Sequence, residues 1–156
     1  MSSPDPASVS FRPYAPSDFN VICQLDRLCF PVGIAYPPEE MAFGLIQPGA
    51  FCLVAESSGR VVAFLLACVE RRQRGHIITI DIHPDFRRLG LGARLMQLAD
   101  AHFREHGVAR VLLEVACENT SAIRFYEKLG FTEQRVLPNY YRTGADALQM
   151  KKQLDG

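Results

Sequence analysis

The chain has 156 residues, 48% apolar and 22% charged, the size and balance of one soluble globular domain with a single core. Lys plus Arg and Asp plus Glu both number 17, and a formal net charge of zero argues against a general nucleic-acid or anionic-membrane role. The longest apolar run, Val61 to Val69, is nine residues, about half of what a membrane span needs.

Residues 1–8 are rich in Ser, Pro and Asp and read as a disordered end, without the basic start and apolar stretch of a secretory signal. Val9 to Tyr14 reads as a first strand, halted by Pro13 and Pro16. Ser17 or Asp18 is placed to cap a helix running to about Phe30, with Phe19, Ile22, Leu25 and Leu28 at helical spacing. Pro31, Gly33, Pro37 and Pro38 force a loop before a short helix over Glu39 to Ile46. Ala50 to Glu56, Val61 to Glu70 and His76 to Ile82 are β-branched-rich strands with short separators, hence antiparallel neighbours. Gly90 to His106 is helical, with Leu91, Leu95, Leu98 and Ala99 on one face and Gly107 at its stop.

Val108 to Ala116, apolar on both faces, reads as a buried central strand. Asn119 caps a helix over Thr120 to Leu129 that stops at Gly130. Phe131 to Val136 and Ala145 to Lys151 are the last strands, with a polar, Tyr-bearing loop between them. The order β-α-α-β-β-β-α-β-α-β-β implies a mixed α/β (α+β) single domain over residues 9–152. The five cysteines, Cys23, Cys29, Cys52, Cys68 and Cys117, form no C-x-x-C pair. They read as reduced, buried thiols of a cytoplasmic protein.

Three segments offer chemistry. Arg87-Arg88-Leu89-Gly90-Leu91-Gly92 lies between a strand and a helix, where glycines free the backbone and amides converge at a helix N-terminus. It is either a tight turn or a pyrophosphate cradle. Neither G-x-G-x-x-G nor G-x-x-x-x-G-K-[ST] is present. Glu114 is a single carboxylate in an apolar strand. It is either locally solvated or a base whose pKa desolvation should raise. Tyr126, one helical turn from Ile123, is either a core aromatic or a proton donor. Asp81 raises the same question as Glu114. His102-Phe103-Arg104-Glu105-His106 matches a zinc-hydrolase pattern, but a helix C-terminus favours histidines anyway and no further ligand helix follows, so no metal is expected.

Together these segments resemble the GNAT superfamily of acetyl-CoA-dependent N-acetyltransferases, from about Val9 to Leu148. The resemblance rests on a β-branched strand ending in His83-Pro84, then Phe86-Arg87-Arg88-Leu89-Gly90-Leu91-Gly92, then Leu113-Glu114-Val115. Asn119-x-x-Ala122-x-x-Phe125-Tyr126-x-x-Leu129-Gly130-Phe131 completes it. Within the superfamily the chain looks most like the protein N-terminal branch, which includes bacterial ribosomal-protein-alanine and archaeal and eukaryotic N-terminal acetyltransferases. Asn139-Tyr140-Tyr141 followed by Gly144-Ala145-Asp146-Ala147 carries that match.

The resemblance implies a GNAT fold with a mostly antiparallel sheet flanked by helices. It implies that the backbone of Arg87, Arg88, Leu89, Gly90, Leu91, Gly92 and Ala93 binds the pyrophosphate of acetyl-CoA. It further implies that Ile80, Asp81 and Ile82 pair with pantetheine through their main chain and that Asn119 hydrogen-bonds it. Glu114 matches the base, acting through a water, and Tyr126 the acid that protonates the thiolate. Tyr140 and Tyr141 match a loop over the acceptor, opposite Phe30, Pro31 and Val32.

An α-amine of pKa about 7.8 is roughly a tenth or more neutral at pH 7, against about one lysine in 2,500. The difference of about 3 kcal/mol makes an α-amine accessible to a modest base and to direct attack. Cys117 could carry an acetyl group, although a buried structural thiol is the plainer reading. The chain has no Trp, so it lacks the Trp-Ser pair usual after Phe-Pro in the bacterial ribosomal enzymes. Phe30-Pro31-Val32 instead is similar to eukaryotic enzymes that accept Met-starting termini, which implies an apolar first residue. The acceptor is then a protein N-terminus, with a small amine or lysine side chain as the alternative, and the chain a monomer or weak homodimer. A non-catalytic CoA-binding or partner-binding module is the alternative of another class.

Overall fold

The computed structural model describes residues 8–155, so the disordered end expected at residues 1–8 lies, but for Ser8, outside the described residues. The elements are β1 (Val9–Pro13), α1 (Phe19–Cys29), α2 (Pro38–Leu45), β2 (Ala50–Ser57), β3 (Arg60–Val69) and β4 (Arg74–Ile82). After them come α3 (Leu91–Glu105), β5 (Arg110–Ala116), α4 (Thr120–Lys128), β6 (Thr132–Leu137) and β7 (Ala147–Gln153). The strands form one seven-stranded sheet in the order β1-β2-β3-β4-β5-β7-β6. Every neighbouring pair is antiparallel except β4 and β5.

The long apolar run of β3 is explained by burial on both faces. Leu65 and Ala67 pack in the cluster that holds Leu95, Ala99 and Phe103 of α3. Phe64 and Leu66 pack in the cluster that holds Ile22 and Leu25 of α1 and Met41 of α2. The expected helix face of α1 is correct but one residue too long, because Leu28 is exposed. Asp18 makes no side-chain cap to α1. Its carboxylate is taken by Arg12, at 2.8 and 2.9 Å, and by the Ala15 amide, which ties β1 to the chain entering α1. Asn119 does cap α4, its Oδ1 accepting from the Ala122 amide at 3.3 Å.

The sheet opens between its two parallel strands. The β4–β5 register runs from Arg74↔Arg110 to Ile77↔Leu113 and stops there, although β4 continues to Ile82 and β5 to Ala116. Beyond that point β4 stays with β3 and β5 stays with β7. On the β3 side the register jumps from Ala67↔Ile77 to Leu66↔Thr79, leaving Ile78 as an extra residue. A bulge bends and twists its strand. This one sits immediately after the last residue of β4 that pairs with β5, and accounts for the divergence.

Candidate active site

The loop from β4 to α3 lies at the mouth of this wedge. Gly90 stands before α3 at φ +80°, and Arg88 also takes a left-handed conformation at φ +63°. A non-glycine residue pays about 1–2 kcal/mol there. The first helical bond of α3 is Arg94 N–H to Gly90 carbonyl at 3.0 Å, so the amides of Leu91, Gly92 and Ala93 have no acceptor within the helix. A Cβ built on Gly90 would meet nothing within 4 Å, so the turn faces open space. Arg87 and Arg88 are exposed. An anion with its long axis toward the wedge fits this arrangement of amides and positive charge.

The β5-facing edge of β4 past Ile77 has no strand partner among the described residues, which fits main-chain pairing by an extended ligand through Ile80 and Asp81. The Ile82 carbonyl is already engaged, accepting from Cys29 Sγ at 3.4 Å and Arg87 Nε at 3.2 Å.

Glu114 lies on the opposite wall. Its Oε1 is 2.6 Å from His76 Nε2 and its Oε2 accepts from Gln149 Nε2 at 3.1 Å. Tyr140 reaches the same Oε1 at 3.5 Å, and His76 Nδ1 is 3.5 Å from Glu70 Oε2. Burial pushes the Glu114 pKa up, but the hydrogen bond and charge of His76, aided by Gln149 and Tyr140, outweigh it, and the carboxyl ends below its usual value. This corrects the expectation from the strand alone. For His76, burial pulls the pKa down while Glu114 and Glu70 pull it up more, leaving it above 6.5. Each group thus favours the charged form of the other, as in an imidazolium–carboxylate ion pair, and the pair becomes a proton acceptor when His76 releases its proton.

Tyr126 is 9% exposed and packs in the α3-side core near Phe131. Burial, then the charges of Asp81 and Tyr141, raise its pKa, so the phenol keeps its proton. Tyr140 is half-exposed and sits edge-on to Tyr141 at 5.0 Å. Across the wedge, Phe30 is half-buried, Pro31 exposed and Val32 94% exposed. The two loops touch: a Cβ on Gly33 would lie 2.6 Å from Thr143 Cγ2, and Arg142 pairs with Glu40.

The model of the acetyltransferase (GNAT) family matches residues 19–131. The chain belongs to this family. It is 33% identical over 146 residues to an N-alpha-acetyltransferase of Sulfurisphaera tokodaii, covering 86% of each chain. It is 33% identical over 110 residues to the ribosomal protein bS18-alanine N-acetyltransferase of Escherichia coli, covering 70% of this chain and 74% of that one. The crystal structure of Ard1 from Thermoplasma volcanium superimposes with a TM-score of 0.87 at 26% identity, over 96% of this chain and 99% of that one. The protein is an acetyl-CoA-dependent N-acetyltransferase, and the mostly antiparallel sheet flanked by helices is the GNAT fold.

In this acetyltransferase the wedge gathers most residues that the sequence singled out: the turn at 87–93, the free half of β4, Glu114 and the two loops expected to receive the acceptor. Asn119 caps α4, which leaves its amide nitrogen as the donor for a ligand. Three residues of the site were not singled out. His76, Gln149 and Tyr36 come from the start of β4, from β7 and from the loop after α1. His76 and Glu114 become neighbours only through the parallel register, in which His76 faces Leu112. Cys117 is exposed rather than buried, because β5 ends at Ala116. Cys29 is only partly buried, and all five cysteines are free. Instead of forming a metal cluster, His102 stacks between Phe51 and His106 at centroid distances of 3.8 and 4.3 Å. Among the described residues no group of three or more His, Cys, Asp or Glu side chains is placed to hold a metal ion.

Proposed function

We propose that this acetyltransferase transfers the acetyl group to the N-terminal α-amine of a protein, through a ternary complex within one domain over residues 9–152. The observation that carries this reading is the His76–Glu114 pair at the apex of the wedge, where the pairing of β4 with β5 ends, beneath Tyr140 and beside Tyr36. Such a pair suits an amine of pKa about 7.8 far better than a lysine. The names of the Sulfurisphaera and Escherichia relatives support the same class of acceptor.

Acetyl-CoA, bound by the amides of residues 87–93, the main chain of Ile80 to Ile82 and Asn119, supplies the acyl group as a thioester. Glu114 takes the proton of the acceptor amine through a water, and deprotonated His76 receives it through the 2.6 Å hydrogen bond. Tyr126, kept protonated by burial, gives its proton to the departing thiolate. The neutral amine attacks directly, so no enzyme nucleophile is used and Cys117 has no step. Phe30, Pro31 and the exposed Val32 on one side, with Tyr140 and Tyr141 on the other, receive the first acceptor residue, and their apolar character favours an apolar one. Free thiols throughout fit a reducing, cytoplasmic setting, and all residues given a role lie in one chain, in keeping with a monomer or weak homodimer.

The test is an acetyl-transfer screen over peptides differing only in their first two residues, with polyamines and blocked-N-terminus lysine peptides alongside. α-Acetylation of peptides with an apolar first residue is expected. Preference for polyamines or lysine side chains would overturn the acceptor class. Acetyl-CoA binding without any turnover would overturn catalysis itself.

A further inference from the structure

Beneath the acceptor loop two carboxyl groups are buried side by side. Asp26 of α1 is 0% exposed and Asp81 of β4 is 1% exposed. Asp26 Oδ2 accepts from the Tyr36 amide at 2.6 Å, and Asp81 Oδ1 accepts from Thr79 Oγ1 at 2.7 Å. Each has one oxygen left, Asp26 Oδ1 and Asp81 Oδ2, buried and without a donor among the described residues. The two side chains nonetheless lie within hydrogen-bonding reach of each other. Two adjacent ionised carboxylates in an apolar setting repel, whereas one proton between them converts both orphaned oxygens into a donor and an acceptor.

We propose that Asp26 and Asp81 share one proton across a carboxyl–carboxylate hydrogen bond, and that this bond positions the acceptor loop over the free half of β4. Through Asp26 it fixes the Tyr36 backbone, and the Tyr36 ring stands near Glu114, Tyr140 and Tyr141. The groups facing the pair are Cys23 and Cys29 of α1, Cys52 of β2, Tyr36, Tyr126 of α4 and Arg87 after β4. Only Arg87 is cationic, and it is exposed and turned to Ile82 and Cys29. Burial, followed by Asp26, holds the Asp81 carboxyl well above the usual carboxylate range, in keeping with a retained proton. The folded-state value is raised, so the bond is present at low pH and lost as pH rises through that value. These are positioning residues, and their effect falls on acceptor binding.

The positioning role rests on the acetyl-transfer reading, but the shared proton does not. Asp81→Asn replaces the titrating proton with an amide that still donates to Asp26 and still accepts from Thr79. In infrared difference spectra of wild type against Asp81→Asn, a protonated-carboxyl C=O band is expected at neutral pH and should disappear on alkaline titration. Over the same interval the wild-type KM for an acceptor peptide should rise roughly three- to tenfold, the effect of one lost hydrogen bond, while that of Asp81→Asn stays level. Absence of the band, or superimposable KM profiles, overturns the proposal. Should Asp81→Asn not fold, the wild-type titration still decides the proton, and the double variant Asp26→Asn, Asp81→Asn decides the positioning. A missing band leaves the N-terminal acceptor reading intact, and a band without peptide acetylation overturns only that reading.

Discussion

Glu114 and His76 each offset the cost of the other's burial, and the sign of each shift fixes a pH window. Glu114 is depressed, so its contribution to stability holds above its ordinary pKa of 4.5 and is lost as pH falls through the folded value. His76 is raised, so its contribution is complete below 6.5 and fades as pH climbs past its folded value. The proposed reaction uses the opposite state of His76, so turnover is expected to increase with pH through that raised value. Glu114→Gln removes the charge that raises His76 and should cut turnover about a hundredfold while moving the residual acid limb to lower pH. Tyr126→Phe should lower turnover about tenfold, with acetyl-CoA affinity kept in both variants. Steady-state profiles from pH 6 to 9 and calorimetric binding of acetyl-CoA check all three statements. Glu114 was visible as a carboxylate in an apolar strand, but its low pKa was not, since a residue 38 positions away causes it.

At the scale of elements, the turn into α3 couples backbone geometry to affinity. Gly90→Ala keeps open space around the new methyl but places an alanine at φ +80°. It should cost about 1–2 kcal/mol in stability and weaken acetyl-CoA binding about tenfold as the amides turn away. Gly75→Ala is the control, because its methyl would lie 2.6 Å from the Phe103 ring. It should destabilise by about 1–3 kcal/mol without touching the turn. Urea denaturation and binding titrations separate the two effects. Periodicity and glycine placement foretold the strands and α-helices to within a few residues, though not the short 3-10 turns at Pro16–Asp18 and Pro84–Phe86, because β3 alternates between two cores and α4 carries its own cap. α1 begins where the sequence places it, after Asp18, but the expected capping bond is missing for a tertiary reason. Asp18 has the right chemistry for a cap, but Arg12 from β1 outcompetes the helix amides for it.

Across the whole molecule, local patterning could not reveal the sheet order. β7 lies between β5 and β6, reached only after the long loop that carries Tyr140 and Tyr141. Nor could it show that the pairing of β4 with β5 ends at Ile77, since Ile78 to Ile82 are as β-prone as the residues before them. Both facts come from long-range packing and the bulge at Ile78. They also divide the sheet into a front leaf of β1 to β4 and a rear leaf of β5 to β7, sewn along one short seam. Coenzyme inserted in the gap would lengthen that seam and lock the leaves together. At a hundredfold excess over its dissociation constant it should add about 2.7 kcal/mol of global stability. Amide exchange should slow together in residues 78–82 and 114–116, two stretches far apart in the chain that would then open only as one unit. The enzyme thereby finishes building its own framework with its substrate, and starving it of coenzyme should leave it easier to unfold as well as idle.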